Sequence, residues 1–186
     1  MTRWYEDIEE GAHFPLGDHL FAEEEIIRFG KMYDPQYFHT DPEAAKKSHF
    51  GGPIASGWHT VCVGHRKMVD ALFAEEERIR DLGQEPGVSG PSPGVNKMEF
   101  KAPVRPGDKV SFELWVISKR LSNSIPGWGI LFNRLNATNQ HGDLVYSVEL
   151  VSFSKLKDYK MPLLTKLLLR LTRVPGLSKL VASRKK

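Results

Sequence analysis

The chain has 186 residues, 40% of them hydrophobic and 26% charged, enough for one sizeable core and a composition that excludes disordered, fibrous and membrane-spanning classes. Its formal net charge of +3 is held unevenly: Lys and Arg crowd the stretch from Lys155 onward, and the body is close to neutral. That balance argues against nucleic acid as the main partner, because a phosphate-reading domain needs a basic face on its folded body.

Cys62 is the single cysteine, so no intramolecular disulfide can form and a thiol-reducing compartment is the natural home. The first fourteen residues carry acidic groups and no apolar run. Neither a secretory signal nor a first transmembrane helix is therefore expected there, and the cytoplasm is the expected location.

In chain order, Glu23, Glu24 and Glu25 precede Ile26, Phe29 and Tyr33, an acidic first turn followed by apolar residues at helical spacing. This helix should end at Asp34, because Pro35 disfavours helical geometry in the residue before it. Asp41 has the character of an N-cap with Pro42 in the first helical position, opening a small helix through Lys47. A loop is expected from Asp34 to Thr40, and a second, rich in glycine, from Phe50 to Gly57. From Trp58 the pattern changes: Trp58, Val61, Cys62, His65, Met68, Val69, Leu72 and Phe73 recur at three or four, which predicts one long helix with a broad apolar face starting at or near Gly57. A flexible excursion over Glu75 to Gly94 is expected to follow. The second half reads as strands over Val95 to Ala102, Lys109 to Lys119, Gly129 to Asn139 and Leu144 to Ser154. One long helix on several antiparallel strands makes an α+β layer, taken as one domain over 1–155 with a tail over 156–186.

Asp34 and His39 lie in the loop between two helices, where side chains can be presented to a ligand. The spacing alone is weak, since Asp34 ends a helix and His39 can simply pack beside Phe38. The surroundings add weight. Asp34-Pro35-Gln36-Tyr37-Phe38-His39-Thr40-Asp41-Pro42, then Phe50-Gly51-Gly52-Pro53-Ile54-Ala55-Ser56-Gly57 and a long apolar helix, resembles the hydratase motif of the MaoC-like dehydratases, the (R)-specific enoyl-CoA hydratase family. Tyr5 to Gly11 and Pro103 to Asp108 look like further landmarks of that family, so the resemblance covers roughly residues 5 to 155.

The resemblance implies a hotdog fold, an antiparallel sheet wrapped around a long central helix, usually as a homodimer. It implies Asp34 and His39 as the catalytic pair, the backbone N–H of Gly57 as the oxyanion donor, and Gln36, Gly52, Ile54, Ser56 and His65 as further residues of the substrate site. The chemistry suits this set. Water adds at Cβ of an enoyl thioester while negative charge moves to the carbonyl oxygen, so a base, an acid and a donor aimed at that oxygen are required. A helix start at Gly57 offers unpaired amide hydrogens and close access to the backbone. The implied substrate carrier is coenzyme A or acyl carrier protein, with no other organic cofactor and no metal.

The chain departs from the family pattern at Gln36 and Tyr37, within the excursion over Glu75 to Gly94, and at His65, which stands where well-known hydratases of the family carry a Ser that supports the catalytic Asp. His65 could donate to Asp34 or be a satisfied core histidine. His59 and Cys62 are three apart, as a nucleophile pair could be, but apolar neighbours make Cys62 a core residue. None of the seven histidines forms a zinc-type pair, and no phosphate-cradling glycine motif is present.

In the tail over 162–174, Lys166, Arg170 and Arg173 share one helical face and Leu164, Leu167, Leu168 and Leu171 the other. Such a helix can pack on the body or a second subunit, or rest peripherally on anionic lipid. Two rival functions stay open: a hotdog thioesterase directing water at the carbonyl carbon, and a non-catalytic acyl-binding protein in the manner of nodulation protein N.

Overall fold

A computed structural model describes residues 3–160, 162 and 163. Of the tail over 156–186, residues 156–160, 162 and 163 are described, and the rest of its amphipathic and basic stretches lies outside the described residues. Its frame is one five-stranded antiparallel sheet, β1 (His13–Leu20), β2 (Gly94–Phe100), β3 (Lys109–Leu121), β4 (Trp128–Thr138) and β5 (Leu144–Lys155), in the order β1-β3-β4-β5-β2. Strict alternation explains the middle of the sheet: Val110, Phe112, Leu114 and Val116 all turn inward from β3 and are buried.

β1 is the strand that periodicity does not announce. Pro15 and Gly17 interrupt its pattern, and the register shifts between them. At the sheet edge a missing N–H costs little, so a Pro-bearing bulged segment can still pair there.

Helix α1 (Glu23–Tyr33) ends with Asp34 as its C-cap, as Pro35 requires. The expected loop after it contains a single helical turn, α2 (Tyr37–Thr40). In α3 (Pro42–Ala45) the Asp41 carboxylate accepts from the amides of Glu43 and Ala44, each at 3.0 Å, and Pro42 takes the first position. The helix stops at Ala45, short of the expected Lys47.

Helix α4 spans Gly57–Asp81, with Ser56 as its N-cap. The charged run expected to open a flexible excursion instead continues the helix. Arg78 pairs with Glu75 at 2.7 Å and Arg80 with Glu76 at 3.3 Å, while Ile79 between the two arginines is buried. The glycine- and proline-rich segment that follows is tied to β5: the Gly90 amide donates to the Phe153 carbonyl at 2.7 Å and the Lys155 amide to that of Val88 at 2.9 Å.

The face of α4 also differs from expectation. Val61 and Met68 pack against the core, but Cys62 and His65 are exposed, and Trp58 and Phe73 are 59% and 63% exposed. The buried positions are His59, Thr60, Gly64 and Ile79. The cause is close approach: a Cβ on Gly64 would stand 3.1 Å from the Phe112 ring and 3.3 Å from Leu135, so the helix meets the sheet through its smallest residue and the bulkier side chains are displaced to the flanks. The result is a long helix against an antiparallel sheet, the hotdog arrangement.

Candidate active site

Three short-range features bring the site together. Helix α1 delivers Asp34 at its end, α2 turns His39 inward, and α4 begins at Gly57 beside them. Close packing of α2 on α1 depends on Gly30, where a Cβ would lie 2.9 Å from the His39 carbonyl oxygen. His39 is only 4% exposed, with its ring edge-on to Phe38.

The Asp34 carboxylate is held on both oxygens. Oδ2 accepts from Ser56 Oγ at 2.7 Å and faces His39 Nε2 at 3.3 Å, and Oδ1 accepts from Gln36 Nε2 at 2.9 Å. Burial works to raise the Asp34 pKa, but the hydrogen bonds from Ser56 and Gln36, with His39 alongside, outweigh it and hold the carboxyl below its ordinary value. Asp34 is therefore a carboxylate at neutral pH, fixed in direction.

His39 Nδ1 stands 2.8 Å from the Ile54 carbonyl oxygen, an acceptor only. A ring with its proton on Nδ1 satisfies that carbonyl and leaves Nε2 bare beside Asp34. A protonated ring serves both acceptors at once. Nε2 can thus take up or release a proton without the ring turning, which is the property an acid or base needs.

A cleft of about 480 Å³ opens here, lined by Asp34, Gln36, His39, Ile54, Ser56 and Gly57. As the first residue of α4, Gly57 has an amide hydrogen with no partner inside the helix, and the positive end of the helix dipole lies at this point. A negatively polarised oxygen in the cleft would find both.

Two expected residues stand elsewhere. Gly52 is buried, and a Cβ there would face the Arg105 guanidinium at 3.6 Å; it is not part of the cleft wall. His65 is exposed and belongs to a different, largely apolar cavity of about 390 Å³ with Met68, Leu114, Leu131 and Leu150. It is neither a donor to Asp34 nor a core histidine: eight residues of helix carry it roughly 12 Å past Gly57, and Ser56 supplies the hydroxyl. Ser89, Gly90 and Ser92 of the segment after α4 line that second cavity and not the cleft. Sequence reasoning missed Trp58, Thr60 and Phe100 as walls of the cleft. An aromatic side chain at a strand end beside a glycine helix start was the available signal for Phe100, whose ring would meet a Cβ on Gly57 at 2.7 Å.

Comparison with known proteins agrees with the fold. The MaoC like domain family matches residues 7–126. The uncharacterized protein YdeM of Bacillus subtilis (strain 168) is 32% identical over 129 residues, covering 69% of this chain and 82% of that protein. The MaoC-like dehydratase from Rhodospirillum rubrum superposes with a TM-score of 0.69 at 27% identity, over 84% of this chain and 99% of that one. The R-hydratase PhaJ1 from Pseudomonas aeruginosa shares the fold, with a TM-score of 0.57 at 18% identity over 87% and 94% of the two chains.

Proposed function

Because the chain belongs to the MaoC-like dehydratase family, we propose that it interconverts enoyl and (R)-3-hydroxyacyl thioesters of coenzyme A or acyl carrier protein, with Asp34 and His39 as its acid and base. The observation that carries the reading is the meeting of the two side chains, 3.3 Å apart, in a cleft that also contains the first amide of α4.

In hydration, the substrate carbonyl accepts the Gly57 N–H. A water beside Asp34 gives up a proton to the carboxylate as its oxygen bonds to Cβ. The electron pair of the double bond moves toward the carbonyl oxygen, where the amide hydrogen and helix dipole stabilise it. His39, protonated on Nε2 at the outset, then delivers that proton to Cα. The proton taken up by Asp34 passes across the 3.3 Å contact to His39 Nε2, so that one water has been added overall and both groups are restored. Dehydration runs the same steps backward.

Gln36, Ser56 and the Ile54 carbonyl act on the catalytic groups and not on substrate: the first two aim the Asp34 carboxylate, and the third fixes which His39 nitrogen faces the reacting carbons. A homodimer is the expected assembly. β2 is an outer strand of the sheet, and Val95 and Phe100 on it are half exposed, so this edge suits a second copy.

The test is to follow enoyl absorbance and free thiol together with a crotonyl thioester, and to compare (R)- with (S)-3-hydroxybutyryl thioester in the reverse direction. Hydration without thiol release, and dehydration of the (R) form alone, is the expected result. Thiol release at the rate of substrate loss would make the protein a thioesterase and overturn the reading.

A further inference from the structure

We propose that Glu25 and His59 form a positioning pair that holds α1, and with it Asp34, in register with the first turn of α4. The inference rests on the hydratase reading and adds to it two residues that touch no substrate.

His59 is the third residue of α4 and is 3% exposed. Its ring stacks on Phe29 of α1 with centroids 4.6 Å apart and planes 9° apart, and Phe21 meets it edge-on at 5.1 Å. Its Nε2 stands 3.2 Å from Glu25 Oε1, while the other carboxylate oxygen faces His19 Nε2 at 3.0 Å. The Nδ1 atom is buried and has no hydrogen-bond partner among the described residues.

That arrangement fixes the state of the ring. With no acceptor at Nδ1, the proton of the neutral imidazole belongs on Nε2, where Glu25 accepts it. A second proton would sit on a buried nitrogen facing nothing. Burial accordingly pulls the His59 pKa below its ordinary value, with His19 and Arg28 adding to the effect and Glu25 opposing it. At neutral pH the contact is a neutral donor on an ionised carboxylate.

The pair joins the two elements that carry the site. Glu25 and Phe29 are one turn apart on α1 and grip His59 together. Further along the same helix Gly30 packs against the His39 backbone and Asp34 forms the cap. From Glu25 to Asp34 is roughly 13 Å of helix, so a small tilt at the grip displaces the carboxylate. Two apolar residues could fill this space at lower desolvation cost, but they would permit sliding, whereas a directed hydrogen bond with a stacked ring fixes rotation as well as distance. Displacement of a reacting group by about 1 Å can cost on the order of a hundredfold in rate.

The test uses His59→Phe, which keeps the aromatic stack and removes the donor, and Glu25→Gln, which keeps an acceptor and removes the charge. Three quantities are read on the full chain: kcat and KM for a crotonyl thioester, the unfolding midpoint, and the titration of His39 by NMR. His59→Phe should lower kcat about tenfold with KM within about twofold and shift the His39 titration in folded protein. Glu25→Gln should do the same to a smaller extent, and it decides the matter if His59→Phe does not fold. Parental kcat per folded molecule with an unmoved His39 titration would overturn the proposal, whatever happens to stability. Asp34→Asn in the same assay separates the two readings: if it keeps full turnover the hydratase reading falls, while the His39 titration still judges the pair.

Discussion

Two glycines of one helix are pressed against aromatic rings, and they are there for different reasons. Gly64, in the middle of α4, faces Phe112, which is 2% exposed and walled in by the core. Gly57, at the start, faces Phe100, which is 52% exposed. The first contact sets how closely helix and sheet pack. The second keeps the backbone amide of Gly57 open to a cleft. The same residue type thus serves packing at one point and, in the proposed reaction, chemistry seven residues away, and the exposure of the neighbouring ring tells them apart.

If this division holds, substitutions around the first turn should cost activity and those in the middle should cost stability. The largest effect is expected at the pair itself. Asp34→Asn and His39→Ala should each lower hydration by on the order of a hundredfold to ten-thousandfold, with circular dichroism close to the parent. Parental activity in both would remove the mechanism.

Ser56→Ala comes next, at about tenfold in kcat, because Asp34 loses a donor that both aims it and holds its pKa down. The sign follows from the lowered value. In the parent the base stays ionised to a pH below the ordinary carboxylate value, near 3.9, so the acid limb of kcat should move upward in the variant. An unmoved limb would mean that Ser56 matters only as a helix cap, worth about 1 kcal/mol.

At Gly64→Ala the cost should appear as stability, about 1–3 kcal/mol from overpacking against Phe112, with kcat per folded molecule unchanged. Gly57→Ala should show the reverse, a loss of a few-fold in rate as Phe100 moves, with little change in the unfolding midpoint. Equal stability losses at the two positions would erase the contrast between them.

The smallest effect concerns pH. His59 has a folded pKa below its unfolded value of about 6.5. Between the two values the unfolded chain binds more protons, so this group's contribution is complete above about 6.5 and declines as pH falls toward the folded value. Unfolding midpoints should therefore rise with pH across that window, and His59→Phe should flatten the slope.

Much of this was legible in the residues. Pro35 ends α1 at Asp34, Asp41 and Pro42 announce α3, and alternation in Val110, Phe112, Leu114 and Val116 marks β3, because each signal is local and the fold leaves it undisturbed. Asp34, His39 and Gly57 were legible through a motif confined to 24 consecutive residues. Other features depended on tertiary partners. The Ser56 hydroxyl reaches a carboxylate 22 residues away, which periodicity cannot encode. The apolar stripe of α4 gave a helix but not its facing, because Gly64 contributes nothing to a hydrophobic pattern and yet decides the approach to Phe112. β1 was hidden by Pro15 and Gly17, tolerated only because that strand lies at the sheet edge.

The most direct test of the central claim is a crystal structure of Asp34→Asn with a crotonyl thioester bound. The thioester oxygen should lie about 3 Å from the Gly57 amide nitrogen, with Cβ facing residue 34 and Cα within reach of His39 Nε2. An acyl group lodged away from Gly57, with its reacting carbons turned from both side chains, would contradict it.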